Sequence, residues 1–352
     1  MRYLRGGLGR AALGLLISAV SLALVFRTVD VATAWETLKT AQWQWIVVLI
    51  GLVIADVLLR AVRWRILLAP LAPVSTRTTL ASLNVGYLAN NVLPARLGEV
   101  VRAHDLGGRT TLSRPAILGT IVIERVVDTF VVVAIASIAI LVLSVRGIVA
   151  SAVLVGLALT ALLVVIVAAG IAAHRLPGAA RVAAFLDRWP RVRASLTRLR
   201  EGLAVASDAR TVGLAVALSL ASWSCTVLAF AAAAQAVGVQ PTIGQAALLA
   251  AGTNLATAIP AGPGYVGTFE LAVITIAGSV GIDQESALAF GLLVHLATLL
   301  VTSVGGAIVL IFGHRRPDTD EAPVPGDAAT DGEGLATPAS AEAATTDGRP
   351  AG

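Results

Sequence analysis

The residues whose types and spacing could do chemistry first appear beside a proline inside hydrophobic sequence. Arg96, Glu99 and Arg102 closely follow Pro94. Glu99 and Arg102 are three positions apart, so they share one face of a helix. Ionisable groups at membrane depth are usually paired or line a pathway. We therefore predict that these residues form a binding site for an anion.

A second charged group follows about thirty residues later, inside a long apolar stretch. Glu124 and Asp128 are four positions apart on one predicted helix face, and Arg125 lies beside Glu124. Two carboxylates on one face need a basic partner, and Arg96 or Arg102 could supply it. We include all of these residues in the predicted site.

A glycine-rich turn is the second place where a ligand could bind. Residues 260–270 read Pro-Ala-Gly-Pro-Gly-Tyr-Val-Gly-Thr-Phe-Glu. The glycines allow backbone to approach a ligand, and free N–H groups at the start of the next helix favour an anion. The alternative is a turn required only by tight packing. The predicted binding residues here are Gly262, Gly264, Gly267, Glu270 and Thr268, which could cap the helix or donate to a phosphate.

Other polar residues are given more ordinary roles. Asp56 and Arg60, four apart, are interpreted as an ion pair near the membrane surface. His295 is interpreted as a hydrogen-bonding group between helices. Asn91 could either bind polar headgroup atoms or bond between helices, and we include it in the predicted site.

The composition places these residues in a bilayer. The chain of 352 residues is 57% hydrophobic and 13% charged, with a mean hydropathy of +0.85, whereas soluble domains carry about 25% charged residues. Six apolar segments are predicted to span. We interpret the first as a signal anchor rather than a cleaved signal peptide, although 32–34 resembles a cleavage site. The six segments are 11–26, 43–59, 115–145, 148–173, 211–237 and 287–312.

Two further pairs of segments are apolar but too short to span. Segments 78–92 and 97–106 flank the first proline turn, and 245–259 and 266–280 flank the second. Segments of 10–15 residues fit re-entrant pieces better than spans, which need about 20 residues. We predict two helical hairpins that each enter and leave on one side of the membrane.

The distribution of basic residues predicts the orientation. With the N-terminus inside, the inner segments hold 22 of the 26 basic residues and the outer loops hold three. This positive-inside pattern predicts a multi-pass protein of the cell membrane with both termini cytoplasmic. Residues 1–316 form the predicted membrane domain, with a net charge of +12, and residues 317–352 a disordered acidic tail. Residues 175–210 include a predicted basic amphipathic helix.

The order span, span, hairpin, span occurs twice, at 11–145 and at 148–312. The first copy begins inside and the second outside, as in inverted-repeat transporters, whose binding site lies between the repeats. The predicted fold is an all-α polytopic membrane protein with six spanning helices and two re-entrant hairpins in two inverted-topology repeats. The alternative is a helical bundle with two kinked hydrophobic pairs.

Several classes of function are not expected. One cysteine excludes a multi-cysteine metal site, and four well-separated histidines do not predict a histidine metal cluster. The sequence holds no convincing catalytic nucleophile, metal set or cofactor loop, and basic residues dispersed through hydrophobic sequence do not fit a nucleic-acid interface. We expect neither an enzyme nor a cofactor-dependent protein. The sequence assigns no oligomeric state.

Four motifs in order resemble a known family. The motifs at 60–64, 91–102, 124–128 and 260–270 look like the lysylphosphatidylglycerol synthase transmembrane region, a family of flippase-like integral membrane proteins. The resemblance implies movement of lipids between leaflets and a link with glycosyltransferases or lipid-modifying enzymes. It also implies a central polar cavity formed by the 260–270 turn and by six charged residues, which are Arg96, Glu99, Arg102, Glu124, Arg125 and Asp128. The two-domain synthases of the family carry a soluble catalytic domain, which the 36 residues after position 316 cannot supply, so aminoacyl transfer is not expected.

Three hypotheses follow. The first is a flippase-like transporter of a phosphate-bearing lipid, either an aminoacylated phospholipid or a polyprenyl-linked or other glycolipid. Its transport would be downhill or coupled to an ion through Glu99, Glu124 or Asp128. The second is a transporter of a soluble anion, and the third a non-transporting membrane partner of a glycosyltransferase.

Overall fold

The fold is all-α, as predicted. A computed structural model describes residues 2–93, 97–172, 187–257 and 261–313, and every regular element within these ranges is helical. Short 3-10 turns occur at Val205–Ser207 and Pro263–Tyr265. The helices are α1 (Arg2–Thr28), α2 (Val31–Lys39), α3 (Trp43–Leu68), α4 (Thr76–Val92), α5 (Gly98–Arg109), α6 (Arg114–Leu143), α7 (Ile148–Ala172), α8 (Pro190–Ala204), α9 (Ala209–Ala236), α10 (Ile243–Ala256), α11 (Thr268–Ser279) and α12 (Gln284–Phe312).

The chain is a multi-pass membrane protein. Five helices of the described part, α3, α6, α7, α9 and α12, are long and apolar enough to cross a membrane. A sixth span exists if α1 and α2 are counted as one, although the chain bends by 84° between them. Asp30 produces this break, because its carboxylate accepts hydrogen bonds from the Ala32 and Thr33 amides and so starts a new helix.

The two predicted helical hairpins are present. In the first, α4 and α5 pack at backbone distance, since a Cβ added to Gly86 would lie 2.9 Å from the Gly98 carbonyl oxygen. In the second, α10 and α11 pack together through side chains, and a Cβ added to Gly252 would lie 2.8 Å from Cδ1 of Ile276. The four helices of the two hairpins have 12 to 17 residues. They are therefore roughly 18–26 Å long, which is shorter than the ~30 Å hydrocarbon core of a bilayer.

Parts of the predicted architecture lie beyond what the structure describes. The hairpin turns at 94–96 and 258–260 and the segments 173–186 and 314–352 are outside the described residues. The amphipathic helix expected within 175–210 is found as α8, which packs on α6 where Gly202 meets Gly119. The side of the membrane from which each hairpin enters, and the inverted relation of the repeats, stay predictions.

Apolar packing holds each hairpin against long helices and leaves polar faces between them. The first hairpin joins α3 and α6 in a core that contains Trp64, Leu83 and Leu106. The second hairpin joins α9 and α12 in a larger core that contains Leu248 and Phe290. Helix α3 also packs along α9, and α4 along α12. The two hairpins are thus connected through α3, α9 and α12, which surround the site described next.

Candidate functional site

Arg63 occupies the centre of a buried group of charges. Its side chain on α3 is fully buried, with an exposure of 0%. One guanidinium nitrogen lies 2.6 Å from Asp128 Oδ1 and 2.5 Å from Ser219 Oγ, and the other lies 3.2 Å from Glu124 Oε1. Such a buried cation is tolerated only when its hydrogen-bonding groups are satisfied by charged and polar partners. Arg63 therefore binds the two α6 carboxylates to α3 and α9.

The α6 carboxylates also bind arginines from the first hairpin and from α6 itself. Arg102 Nη2 on α5 lies 2.9 Å from Glu124 Oε2. Arg125 Nη2 lies 2.5 Å from Glu124 Oε1 and 3.3 Å from Asp128 Oδ2. Arg102 also lies over the Trp64 ring, 4.5 Å from its centre, in a cation–π contact. The prediction that Arg102 partners the α6 acids agrees with this geometry.

Asp56 and Arg60 extend the same group on α3. Arg60 Nε lies 2.9 Å from both Asp56 oxygens, and its Nη1 lies 3.0 Å from Asp128 Oδ2. Helix α9 contributes two more donors, since Ser222 hydrogen-bonds Asp56 and Trp223 Nε1 donates to Asp128 at 3.1 Å. The interpretation of Asp56–Arg60 as an i,i+4 ion pair is confirmed by these contacts, and its depth in the membrane stays a prediction. The pair is largely buried and belongs to the central group.

These seven side chains form what we call the arginine network. Four guanidinium groups face three carboxylates, so the network carries a net charge of +1. Three of its buried Nε atoms, those of Arg63, Arg102 and Arg125, have no hydrogen-bond partner among the described residues. The network is thus well enough paired to be stable and retains an excess of positive charge for an anionic ligand. Its members are Asp56, Arg60, Arg63, Arg102, Glu124, Arg125 and Asp128.

A cavity of about 320 Å³ borders the arginine network and both hairpins. Its cationic wall consists of Arg60, Arg102 and Arg125, and Arg125 keeps 42% of its side chain exposed. Two carboxylates, Asp56 and Glu99, also line the cavity, and the rest of the polar wall carries mainly amide and hydroxyl groups. These polar residues are Asn90, Asn91, Thr226, Thr253, Asn254, Thr298 and Thr302. The cavity can therefore accept an anionic group at one side and hydrogen-bonding groups at the other.

The second hairpin reaches the cavity through what we call the glycine-rich tip, residues 261–270. Tyr265, Phe269 and the facing His295 of α12 line the cavity. His295 hydrogen-bonds with both ring nitrogens, Nδ1 to Glu270 Oε1 at 2.6 Å and Nε2 to the Gly264 carbonyl oxygen at 2.6 Å. Glu270 Oε2 in turn accepts from the Gly267 amide at 2.7 Å. These contacts fix the tip on α12.

The tip glycines are required by backbone geometry. Gly264 and Gly267 have φ values of +63° and +87°, which cost residues with a Cβ about 1–2 kcal/mol. At Gly267 an added Cβ would also lie 2.5 Å from the Ser18 carbonyl oxygen of α1. The Gly262 amide donates to Ser18 Oγ at 2.9 Å.

The tip therefore differs from its expected role. Two of its amides, those of Gly262 and Gly267, already have protein partners. Thr268 neither caps α11 nor faces the cavity, because its hydroxyl donates to the Tyr265 carbonyl oxygen at 2.9 Å. The expected anion cradle of free backbone amides is not what these three residues form. The cationic side chains supply the anion-binding chemistry instead.

Two predicted residues of the first hairpin line the cavity and one lies outside the described residues. Glu99 lines it without an ion-pair partner in the described part of the chain. Asn91 lines it too, and its amide donates to Thr302 and Ser303 of α12, both at 2.9 Å. Asn91 thus connects the first hairpin to α12. Arg96 belongs to the undescribed turn.

Sequence reasoning missed Arg63 and the role of His295. A signal for Arg63 was present, because Arg60 and Arg63 lie on an apolar helix with Asp56 while α6 carries two acids in need of cations. One face of α9 completes the network. It carries Ser219 and, three and four positions later, Ser222 and Trp223. His295 gave no such signal, since its partners are 25 and 31 residues away.

No group of three or more His, Cys, Asp and Glu side chains within the described ranges could hold a metal ion. The chemistry that the site offers is electrostatic binding by guanidinium groups and hydrogen bonding by amides and hydroxyls.

Comparison with known proteins gives one family and a distant relative. The sequence model of the family described as lysylphosphatidylglycerol synthase TM region matches residues 11–306. The chain is also 25% identical, over 330 residues, to a protein of Haloferax volcanii named Glycosyltransferase AglD. That match covers 83% of this chain and 53% of the relative, so the chain spans about half the length of the curated relative it matches. No solved structure matches.

Proposed function

Because the chain belongs to the family of the lysylphosphatidylglycerol synthase transmembrane region, we propose that it is a flippase-like transporter of a phosphate-bearing lipid. The resemblance carried by the sequence motifs is confirmed by the family match. The substrate class comprises aminoacylated phospholipids and polyprenyl-linked or other glycolipids. The chain acts in the cell membrane with both termini cytoplasmic, and it catalyses no covalent step.

The cationic cavity between the hairpins is the observation that carries this proposal. Arg60, Arg102 and Arg125 line one wall of a space of about 320 Å³, a size suited to a headgroup rather than to a whole lipid. Guanidinium groups bind phosphate oxygens through paired hydrogen bonds. The excess positive charge of the arginine network favours an anion. The headgroup would occupy the cavity while the acyl or prenyl chains stay in the bilayer.

The arrangement of two short hairpins supports alternating access to this cavity. The tips approach each other, since a Cβ added to Gly264 would lie 3.7 Å from the Asn91 carbonyl oxygen. In inverted-repeat transporters, one repeat moves against the other around a site at the midplane. We propose the same for the repeats 11–145 and 148–312, so that the cavity faces each leaflet in turn.

The named relative favours a second candidate, which is a membrane partner of a glycosyltransferase. The matched protein is called a glycosyltransferase, and this chain covers only about half of it. A glycolipid substrate would make the two candidates compatible, because the amide and hydroxyl wall of the cavity suits a sugar. The partner role alone would not explain why the cavity has a cationic wall.

The test is lipid translocation in proteoliposomes by the wild type and Arg125→Gln. Fluorescent phosphatidylglycerol and a fluorescent polyprenyl-phosphate sugar serve as probes, and dithionite quenching reports the outer leaflet. Loss of a hydrogen bond to a charged group costs about 1.5–3 kcal/mol, so we expect translocation to fall about tenfold or more. Arg65→Gln, at an exposed position on α3 and outside the cavity lining, is the control and should retain the wild-type rate.

Three outcomes would contradict the transport proposal. Equal translocation by the wild type and Arg125→Gln would remove the cavity from the mechanism. Uptake of radiolabelled inorganic phosphate without lipid movement would favour the soluble-anion hypothesis. Copurification of a glycosyltransferase with both proteins, with no translocation by either, would favour the partner role.

A further inference from the structure

His295 makes two hydrogen-bonding contacts, and together they require a proton beyond the one that a neutral imidazole carries. His295 Nε2 faces the Gly264 carbonyl oxygen, which is only an acceptor, so Nε2 must carry a proton. Nδ1 faces Glu270 Oε1 at 2.6 Å. That contact needs a second proton, either on Nδ1 or on the carboxyl group. A neutral imidazole beside an ionised carboxylate has one proton too few for the two contacts.

We infer that Glu270 and His295 form a proton-binding site and that the proton is the ion coupled to transport. The coupling part rests on the proposed function, whereas the proton site does not. With the proton bound, α12 holds the glycine-rich tip at both Gly264 and Glu270. After the proton leaves to cavity water, one of the two contacts brings two acceptors together at 2.6 Å and must open. The proton therefore decides whether the tip is fixed or free.

The Glu270–His295 pair is open to cavity water, and no other described residue forms an ion pair with it. His295 lines the cavity, so water that enters the cavity reaches its ring. The Phe269 ring stacks on His295 with centres 4.4 Å apart, and Phe230 stacks on Phe269. Among the described residues, Glu270 and His295 form their ion pair only with each other.

Other titratable groups face the same cavity from the elements packed around α12. The cationic wall lies on α3, α5 and α6, so an anionic headgroup bound there adds negative charge to the space that His295 borders. Binding of such a headgroup favours retention of the proton, which links the lipid to the proton. The ionisable residues that line the cavity besides His295 are Asp56, Arg60, Tyr87, Glu99, Arg102, Arg125, Cys225 and Tyr265.

The backbone of the glycine-rich tip, which has several positive φ values, is the segment that this proton-dependent contact would move. Gly264, Tyr265 and Gly267 all have positive φ, at +63°, +59° and +87°. A non-glycine residue with a positive φ, such as Tyr265, has a strained backbone that the surrounding contacts must stabilise. Breaking the His295 contact to Gly264 removes one of those contacts next to Tyr265, which lines the cavity. Release of the proton would therefore change the cavity wall directly.

The first experiment measures the proton itself and does not depend on transport. The full chain with His104→Gln, His174→Gln and His314→Gln is labelled with ¹⁵N-histidine and ¹³C-glutamate and placed in phosphatidylglycerol nanodiscs. At neutral pH we expect either two protonated ring nitrogens on His295 or one together with a protonated Glu270 carboxyl group. Adding Glu270→Gln should leave a neutral ring with one protonated nitrogen. An unprotonated Nδ1 beside an ionised Glu270 in the protein with native Glu270 would overturn the proton site.

The second experiment measures coupling in proteoliposomes with fluorescent phosphatidylglycerol and the polyprenyl-phosphate sugar. One proton moved per lipid makes a gradient of one pH unit worth up to about tenfold in the final leaflet ratio. We expect this shift in the wild type and in His104→Gln, and its loss in His295→Gln. A final leaflet ratio that does not change with the pH gradient would overturn the coupling. If the wild type moves neither lipid while the NMR result holds, the proposed function fails and the proton site stands.

Discussion

The arginine network and the glycine-rich tip both border the cavity, but they hold charge in different ways. In the network, four guanidinium groups stay protonated at every physiological pH, and each carboxylate contacts between one and three of them. The tip instead depends on one histidine and one carboxylate, whose contacts change with a single proton. The network is a fixed electrostatic site, whereas the tip is a site that can switch.

This difference assigns separate roles to the two hairpins. A fixed positive wall binds an anion in every state of a transport cycle, so it cannot by itself decide when the ligand leaves. A proton-dependent contact can decide this, because it changes the freedom of the backbone beside the cavity. The hypothesis that an ion is coupled through Glu124 or Asp128 is less suited to the geometry, since protonating either would leave buried arginines without their partners.

The largest expected effect comes from removing the centre of the network. Arg63→Ala leaves Glu124 and Asp128 buried with fewer cations, and loss of one partner of a buried ion pair costs about 3–5 kcal/mol. We expect low expression and a large fall in melting temperature in detergent. Arg65→Ala, two positions along the same helix and exposed, should change the stability by less than about 0.5 kcal/mol. Similar melting temperatures for the two variants would show that the network is not the structural centre we describe.

The second effect tests how tightly the tip backbone is constrained. Gly267→Ala places a Cβ 2.5 Å from the Ser18 carbonyl oxygen at a φ of +87°, so strain and a clash together should cost about 2–3 kcal/mol. Gly281→Ala is the matched control, with a φ of +77° and open space around the Cβ, and it should cost only about 1 kcal/mol. Thermal unfolding of both variants measures the difference. Equal losses would show that the contact with α1 does not hold the tip.

The same comparison explains what the sequence could predict. Hydrophobic length and proline placement predicted the helices and both hairpins, because these depend on local properties of the chain. The pairing of Glu124 with Arg102 was also accessible, since two acids on one helix face require a cation. The position of Arg63 and the contacts of His295 were not, because they depend on how α3, α9 and α12 pack.

The glycine-rich tip shows the limit most clearly. Its three glycines predicted backbone close to a ligand, and positive φ values at Gly264 and Gly267 do require glycine. The backbone approach, however, is to Ser18 of α1 and to Glu270, not to the cavity. A glycine-rich sequence thus predicted the conformation correctly, while its partner was set by tertiary packing.

A smaller effect is expected from the hydrogen bonds that connect the first hairpin to α12, the helix that also holds the glycine-rich tip. Asn91→Leu removes the hydrogen bonds from the first hairpin to Thr302 and Ser303 of α12. Polar bonds between membrane helices contribute about 0.6 kcal/mol on average and at most about 1.7, so the loss of stability should stay near 1 kcal/mol. Hydrogen exchange of α4 and α12 should rise while that of α8 stays unchanged. Unchanged hydrogen exchange in all of these helices would show that Asn91 does not link the first hairpin to α12.

The smallest effect is expected at a carboxylate outside both the arginine network and the glycine-rich tip. This exposed carboxylate gives the reference against which effects in the buried regions are compared. Asp208 caps α9, and the hydrogen bonds from the Thr211 hydroxyl and from the Thr211 and Arg210 amides lower its pKa. Its contribution to stability is therefore present above the ordinary aspartate pKa, about 3.9, and is lost as the pH falls through the lowered value.

Asp208→Ala should accordingly lower the melting temperature by only about 1–2 °C between pH 5 and 8. The difference from the wild type should shrink as the pH falls below about 4, since protonation weakens the native cap that the variant lacks. Asp208→Asn keeps a capping oxygen and should lie between the two proteins at neutral pH. A difference that grew in acid would mean that the Asp208 carboxylate opposes folding, contrary to its hydrogen bonds. Because this carboxylate is exposed and the α6 carboxylates are buried, the contrast between Asp208→Ala and Arg63→Ala measures how far burial strengthens the arginine network.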